Sequence, residues 1–247
     1  MVEYPLYGEE VPYLTTEQMR EVDRAMMEDY KIELIQMMEN AGRNLAHLAR
    51  GRFFNDDPRG KRIVILAGTG GNGGGALVCA RRLHNYGAQV LVCTTGPDDR
   101  FTLVPAHQLD ILRQMNVPIG QGNHMSILQN ADLIIDGLIG YSLKGAPHGT
   151  AANLIRWANL SPAPILSLDA PSGVDTTTGT VYEPAIKATA TMTLALPKEG
   201  LRAPGVEEQV GELYLADISV PPELYSEPVL GLSVAHIFAA GDIVRLR

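Results

Sequence analysis

Two hydrophobic periods divide this chain. Near its start, Met19, Val22, Ala25 and Met26 recur at three- and four-residue steps behind Thr15 and Thr16, either of which suits a helix N-cap, and Glu17 sits near the positive end of the helix dipole. Leu34, Met38, Ala41, Leu45 and Leu48 repeat the pattern and predict a second helix with a buried stripe. Their methionine-rich faces suit either a core or a subunit interface, because unbranched Met fills irregular gaps. From residue 61 the pattern changes. Apolar runs over 61–67, 88–94, 132–136 and 164–168 predict buried strands, and amphipathic stretches over 74–86, 103–115, 125–130 and 150–159 predict helices between them. A short strand is expected around Val117, and the apolar segments 188–196 and 211–217 extend the sheet without long helices.

That rhythm predicts an α/β fold, a parallel sheet covered by helices on both faces. At 247 residues with 45% apolar side chains the chain fits one domain: residues 1–57 as an N-terminal helical appendage, 61–220 as the core, and 221–247 as a Pro-rich surface wrap. A formal charge of −8 with scattered basic residues argues against nucleic acid and anionic membranes as partners. Cys79 and Cys93 have neither metal-ligand spacing nor disulfide density and read as small core residues. With neither a leader-like N-terminus nor an apolar run of membrane-spanning length, a cytoplasmic protein is the expectation.

The first predicted strand runs into Gly68-Thr-Gly-Gly-Asn-Gly-Gly-Gly75, five glycines within residues 70–75, and then a helix. Such a loop lets backbone N–H groups approach an anion at a helix N-terminus, or serves close helix–strand packing. Gly68, Gly70 and Gly73 satisfy the dinucleotide spacing, but no acid ends the next strand to hold a ribose, and no Lys-Ser/Thr closes a P-loop. An ordinary nicotinamide dehydrogenase is therefore disfavoured.

Ligands of an open parallel sheet bind beyond the carboxyl ends of its strands, which makes two further loops informative. One strand ends on Asp136 and leads to Gly140 and a loop holding Ser142 and Lys144; another ends on Asp169 and a Pro171-Ser172-Gly173 turn. Asp136 with neutral oxygens of Asn72 and Ser172 makes a hard oxygen site, better matched to a monovalent ion than to zinc. Asp169 is then free for acid–base work. Either aspartate also suits a loop cap that accepts backbone N–H bonds. Lys144 suits a phosphate or solvent, and Asp175 with the threonines after it reads as turn chemistry.

In order along the chain, Leu14-Thr-Thr-Glu-Gln-Met19, Met38-Glu-Asn-Ala-Gly42, the glycine loop, Asp136, Asp169-Ala-Pro-Ser-Gly173, Leu196-Pro-Lys-Glu-Gly-Leu201 and Leu215-Ala-Asp-Ile218 resemble the YjeF N-terminal domain family. The resemblance implies a Rossmann-like three-layer α/β/α sandwich, often a homodimer, whose enzymes are NAD(P)H-hydrate epimerases. These interconvert the R and S forms of NADHX and NADPHX, so that an ADP- or ATP-dependent dehydratase, here a separate chain, restores the cofactor. It implies K⁺ held by Asn72, Asp136 and Ser172, ligand binding by Gly71, Asn72, Gly73, Gly74, Gly75, Gly140, Tyr141, Ser142, Leu143, Lys144, Gly145, Ala146 and Asp169, and catalysis by Asp169. Gly71, Gly75 and Ala76 depart from the family's usual Asn, Asp and Gly, and Ala170 is a milder change. The lost amide and carboxylate leave open a non-catalytic binding module on the same fold, or an enzyme for another hydrated or nucleotide ligand.

Overall fold

The computed structural model describes residues 4–121, 128–226 and 228–247. Eight strands form one sheet: β1 (Arg62–Ala67), β2 (Gln89–Thr94), β3 (Ile119–Gln121), β4 (Leu133–Gly137), β5 (Ile165–Leu168), β6 (Ala190–Leu194), β7 (Glu212–Ala216) and β8 (Ile243–Arg245). Their spatial order is β3-β2-β1-β4-β5-β6-β7-β8, parallel up to β7, with β8 antiparallel at the edge. The sandwich expected from the resemblance is present. Four helices pack around it first: α1 (Thr16–Glu28), α2 (Leu34–Phe54), α3 (Gly71–Asn85) and α4 (Leu103–Gln114). α5 (Gly149–Asn159) lies on the opposite face. The expected helix at 125–130 falls mostly outside the described residues.

Strand alternation sorts the core. Ile63, Ile65 and Ala67 face Leu45, Leu48, Leu77 and Leu83 of α2 and α3, whereas Val64 and Leu66 face Leu154 and Ile155 of α5. α2 is thus a layer of the domain, and the N-terminal appendage expected from sequence is a misreading. Gly42 explains why: a Cβ there would meet Val78 Cβ at 2.4 Å, so α2 and α3 approach to a distance only glycine permits. The tail likewise departs from a surface wrap. Leu224, Tyr225, Leu230, Ile237 and Val244 are buried with α1 and Leu215 in a second cluster, and the tail ends as β8. Its apolar positions are too irregularly spaced to reveal this by periodicity.

α1 is closed by a capping box in which Thr15 Oγ1 accepts from Gln18 N while Gln18 Oε1 accepts from Thr15 N. α3 begins three residues earlier than its apolar period predicts, within the glycines. Tertiary contact overrides their poor helix propensity, since a Cβ on Gly73 would lie 1.8 Å from Gly68 O and one on Gly74 would lie 2.6 Å from Met38 Sδ. Among the described residues no helix is long and apolar enough to cross a membrane.

Candidate active site

The strand order reverses between β1 and β4, and the loops leaving β1, β4 and β5 meet at that point. A cavity of about 180 Å³ opens there, floored by Gly71, Asn72 and Gly75, flanked by Gly140, Tyr141 and Ser142, and reached by Asp169. Met19, Met37 and Met38 of α1 and α2 supply its apolar wall. Seven residues expected at the ligand site therefore converge. Gly73 and Gly74 do not line the cavity, being consumed by helix packing, and Leu143, Lys144, Gly145 and Ala146 continue past its rim, with Lys144 and Ala146 exposed.

Asp169 terminates β5 with φ 67°, in the left-handed region that aspartate tolerates better than most residues. Its N–H donates to Met192 O on β6 at 2.7 Å, which pins this conformation. Tyr141 N donates to Oδ2 at 2.9 Å, and the ammonium of Lys198 lies 2.5 Å from Oδ1. Lys198 is wholly buried and also donates to Leu194 O at 2.8 Å and Thr193 Oγ1 at 3.3 Å. Gly140 leaves this group room, because a Cβ there would stand 2.9 Å from Asp169 Oδ2 and 3.1 Å from the Asn72 amide carbon and would push those side chains aside.

Asp136 has a different setting. It is fully buried, and its oxygens accept from Leu138 N at 3.2 Å, Ser167 Oγ at 2.8 Å, Ser172 N at 2.9 Å and Ser172 Oγ at 2.6 Å. Burial raises its pKa and the four donors oppose that shift. Ser172 Oγ stands between Asp136 and Ile139 O, the latter at 3.2 Å, so a carboxylate, a hydroxyl and a carbonyl are gathered in one place. The Asn72 amide nitrogen is buried without a hydrogen-bond partner among the described residues. Oxygen donors without His or Cys fit a hard monovalent cation. Among the described residues, no group of three or more His, Cys, Asp or Glu side chains gathers as a transition-metal site requires.

Two side chains of the cavity region escape a sequence reading. Lys198 lies in the Pro197-Lys-Glu-Gly200 turn after β6, where its role depends on β6 lying beside β5. Asp23 lines the cavity from α1 and accepts a short hydrogen bond from Tyr141 Oη. A sequence signal for Asp23 exists, since it sits four residues after Met19 and three before Met26, an acid on an apolar stripe. Thr16 and Thr176 hold the Tyr141 carbonyl, and Asp175 caps Thr177 N and Thr178 N at 2.9 and 2.8 Å, which is turn chemistry as expected. Cys79 and Cys93 are buried, and burial pushes the Cys93 thiol up to about 11.

A switch-point cavity between a glycine-rich strand–helix turn and paired strand-end carboxylates defines a Rossmann-like α/β/α ligand-binding protein. The particular family follows from comparison: the model described as YjeF-related protein N-terminus matches residues 34–200, and the chain belongs to that family. A protein of Dehalogenimonas lykanthroporepellens named NAD(P)H-hydrate epimerase is 40% identical over 97% of this chain and 94% of its own length. One of the same name from Rhodopirellula baltica is 32% identical, over 87% of each. The bifunctional NAD(P)H-hydrate repair enzyme Nnr of Pyrobaculum aerophilum is 37% identical over 79% of this chain, which spans 39% of that longer protein. The crystal structure of yeast ynu0 superposes with a TM-score of 0.82 at 25% identity, covering 96% of this chain and 100% of the yeast chain.

Proposed function

We propose that this chain is an NAD(P)H-hydrate epimerase, an isomerase that interconverts the R and S forms of NADHX and NADPHX. The observation that carries this reading is Asp169, held by a backbone bond and a buried ammonium at the wall of a glycine-floored cavity. The hydrated ring carbon adjoins the ring nitrogen, whose lone pair supports a delocalised cation when the hydroxyl departs as water. Asp169 moves the proton in this exchange, and readdition of water from the other face gives the epimer. The apolar wall of Met19, Met37 and Met38 suits a planar ring, and the amino end of α3 suits the anionic part of a dinucleotide. Lys144, exposed beyond the rim, suits a phosphate of the same ligand.

Asn72, Asp136 and Ser172 are the proposed K⁺ ligands. The ion would supply a fixed positive charge that ties the three loops together. Gly71 and Gly75, which left open a non-catalytic module, lie on the cavity wall and not in the Asp169 network. A Cβ on Gly75 would meet Leu168 Cδ2 at 2.9 Å, so glycine there widens the cavity without touching the carboxylate. The reading extends to a homodimer in the cytoplasm that passes its S product to an ADP- or ATP-dependent dehydratase.

Purified (R)-NADHX, followed by chromatographic separation of the epimers, tests the activity. Acceleration above the spontaneous rate is expected, and stronger with K⁺ than with a large organic cation. A folded protein that gives no acceleration removes the epimerase reading, and light scattering tests the dimer.

A further inference from the structure

Inversion at a carbon that loses and regains water on opposite faces calls for two proton-handling groups, one on each side of the ring. Asp169 is one carboxylate at the cavity, just beyond β5, and Asp23 is a second, projected from α1. Tyr141 braces the pair: its N–H donates to Asp169 Oδ2 at 2.9 Å, and its phenol donates to Asp23 Oδ2. Thr16 Oγ1, at 3.5 Å, and Thr176 Oγ1, at 3.2 Å, fix the Tyr141 carbonyl, so the brace is anchored to α1 and to the loop after β5. Asp169 is ion-paired with Lys198, whereas the hydrogen-bond partner of Asp23 is a neutral phenol.

We infer that Asp23 is a second catalytic residue, working with Asp169 as an acid–base pair whose members exchange roles in the two directions of the epimerisation; the inference rests on the epimerase reading. In one direction Asp23 gives its proton to the ring hydroxyl. The C–O electron pair leaves with water, and the ring nitrogen's lone pair forms the C=N bond of the cation. A water on the other face then forms the new C–O bond, its proton passes to the Asp169 carboxylate, and the C=N electron pair returns to nitrogen. Nothing is oxidised or reduced. The carboxyls end with their protons exchanged, which is the starting state for the reverse direction, and proton exchange with solvent resets them. Burial raises the Asp23 pKa, ahead of the opposing hydrogen bond from Tyr141 and the charge of Lys198, while the Asp169 charge raises it further. A shift in that direction keeps the proton on Asp23 to higher pH than on a free aspartate, as a general acid requires.

The test compares kcat and KM for (R)-NADHX and (S)-NADHX in the unaltered protein, Asp23→Asn and Tyr141→Phe, with thermal unfolding of each. Loss of a proton donor lowers kcat by about 10²-fold or more, and the expected KM change for Asp23→Asn is small in both directions. Tyr141→Phe keeps both carboxyls and is expected to lose less than about tenfold, below the range for a missing acid or base. Equal losses in the two variants would make Asp23 a mere anchor for Tyr141, and an unimpaired Asp23→Asn enzyme would remove it altogether; either overturns the proposal. Should Asp23→Asn fail to fold, the unaltered enzyme in ¹⁸O-labelled water can still overturn the proposal. Each inversion is expected to place one labelled oxygen on the ring, and inversion with the original oxygen retained overturns the two-carboxyl scheme. No acceleration by the unaltered protein would instead strike down the epimerase reading itself.

Discussion

Asp136 and Asp169 each end or follow an apolar strand at the same sheet edge, yet their surroundings assign them different work. Asp136 is still within β4, level with Ser167 of β5, and four donors occupy its oxygens. Asp169 lies one residue beyond β5, where φ turns positive and the side chain reaches the cavity beside a single buried cation. A carboxylate that accepts four hydrogen bonds ties the neighbouring loops together. Asp169, with one N–H and one ammonium on its oxygens, lines the cavity and is the one proposed for acid–base work. Two residues of register at the strand ends separate an acid enclosed by its donors from one that lines the cavity.

The comparison breaks most sharply at Asp169. Asp169→Asn keeps the shape and removes the proton carrier, so epimerisation is expected to fall by about 10²- to 10⁴-fold, measured by epimer chromatography, with the far-ultraviolet circular dichroism spectrum retained. Its partner comes next. Lys198→Met leaves Asp169 as an uncompensated buried charge, for which a loss of about 3–5 kcal/mol is expected in urea unfolding. Joining it to Asp169→Asn is expected to recover part of that loss, and equal stability of the single and double variants would show that no ion pair contributes.

Asp136→Ala sharpens the other side. It strands the hydroxyls of Ser167 and Ser172 and the N–H groups of Leu138 and Ser172. Each buried donor left unpaired costs about 1–3 kcal/mol, less what rotation of the hydroxyls recovers, so a lowered unfolding midpoint is expected. A carboxylate remote from the cavity gives the smallest effect. Arg52 of α2 hydrogen-bonds Glu212 of β7 and holds its pKa down to about 2. A depressed carboxylate pKa contributes stability that is present above the ordinary value of 4.5 and lost as pH falls through about 2. Arg52→Gln is therefore expected to cost about 0.2–1 kcal/mol at neutral pH, and the difference between the two proteins should vanish in strong acid.

Much of this was readable beforehand, and the particular failures are instructive. β1, β4 and β5 are buried along nearly their whole length, so their sequences are mostly apolar and lack the alternation of a half-exposed strand. The position of Gly71, Asn72, Asp136, Asp169 and Ser172 at or just after the ends of those strands follows once the sheet is taken as parallel. The start of α3 was misplaced because glycine is a poor helix former, and only the approach of Met38 and Gly68 makes it acceptable there. The tail was misread because Leu224, Leu230 and Ile237 carry no period, and their burial depends on meeting α1 some two hundred residues away.

The amino-acid sequence by itself determined the strand–helix alternation, the glycine turn after β1 and the family-wide order of short motifs. These are local properties, set by side-chain period, backbone freedom and turn chemistry within a few residues. Tertiary structure alone decided that Lys198 meets Asp169, that Tyr141 joins Asp169 to Asp23, and that Leu143 to Ala146 pass outside the cavity wall. Those outcomes depend on which strands become neighbours and where each chain turns at the sheet edge, and no local pattern encodes a partner 29 or 118 residues distant.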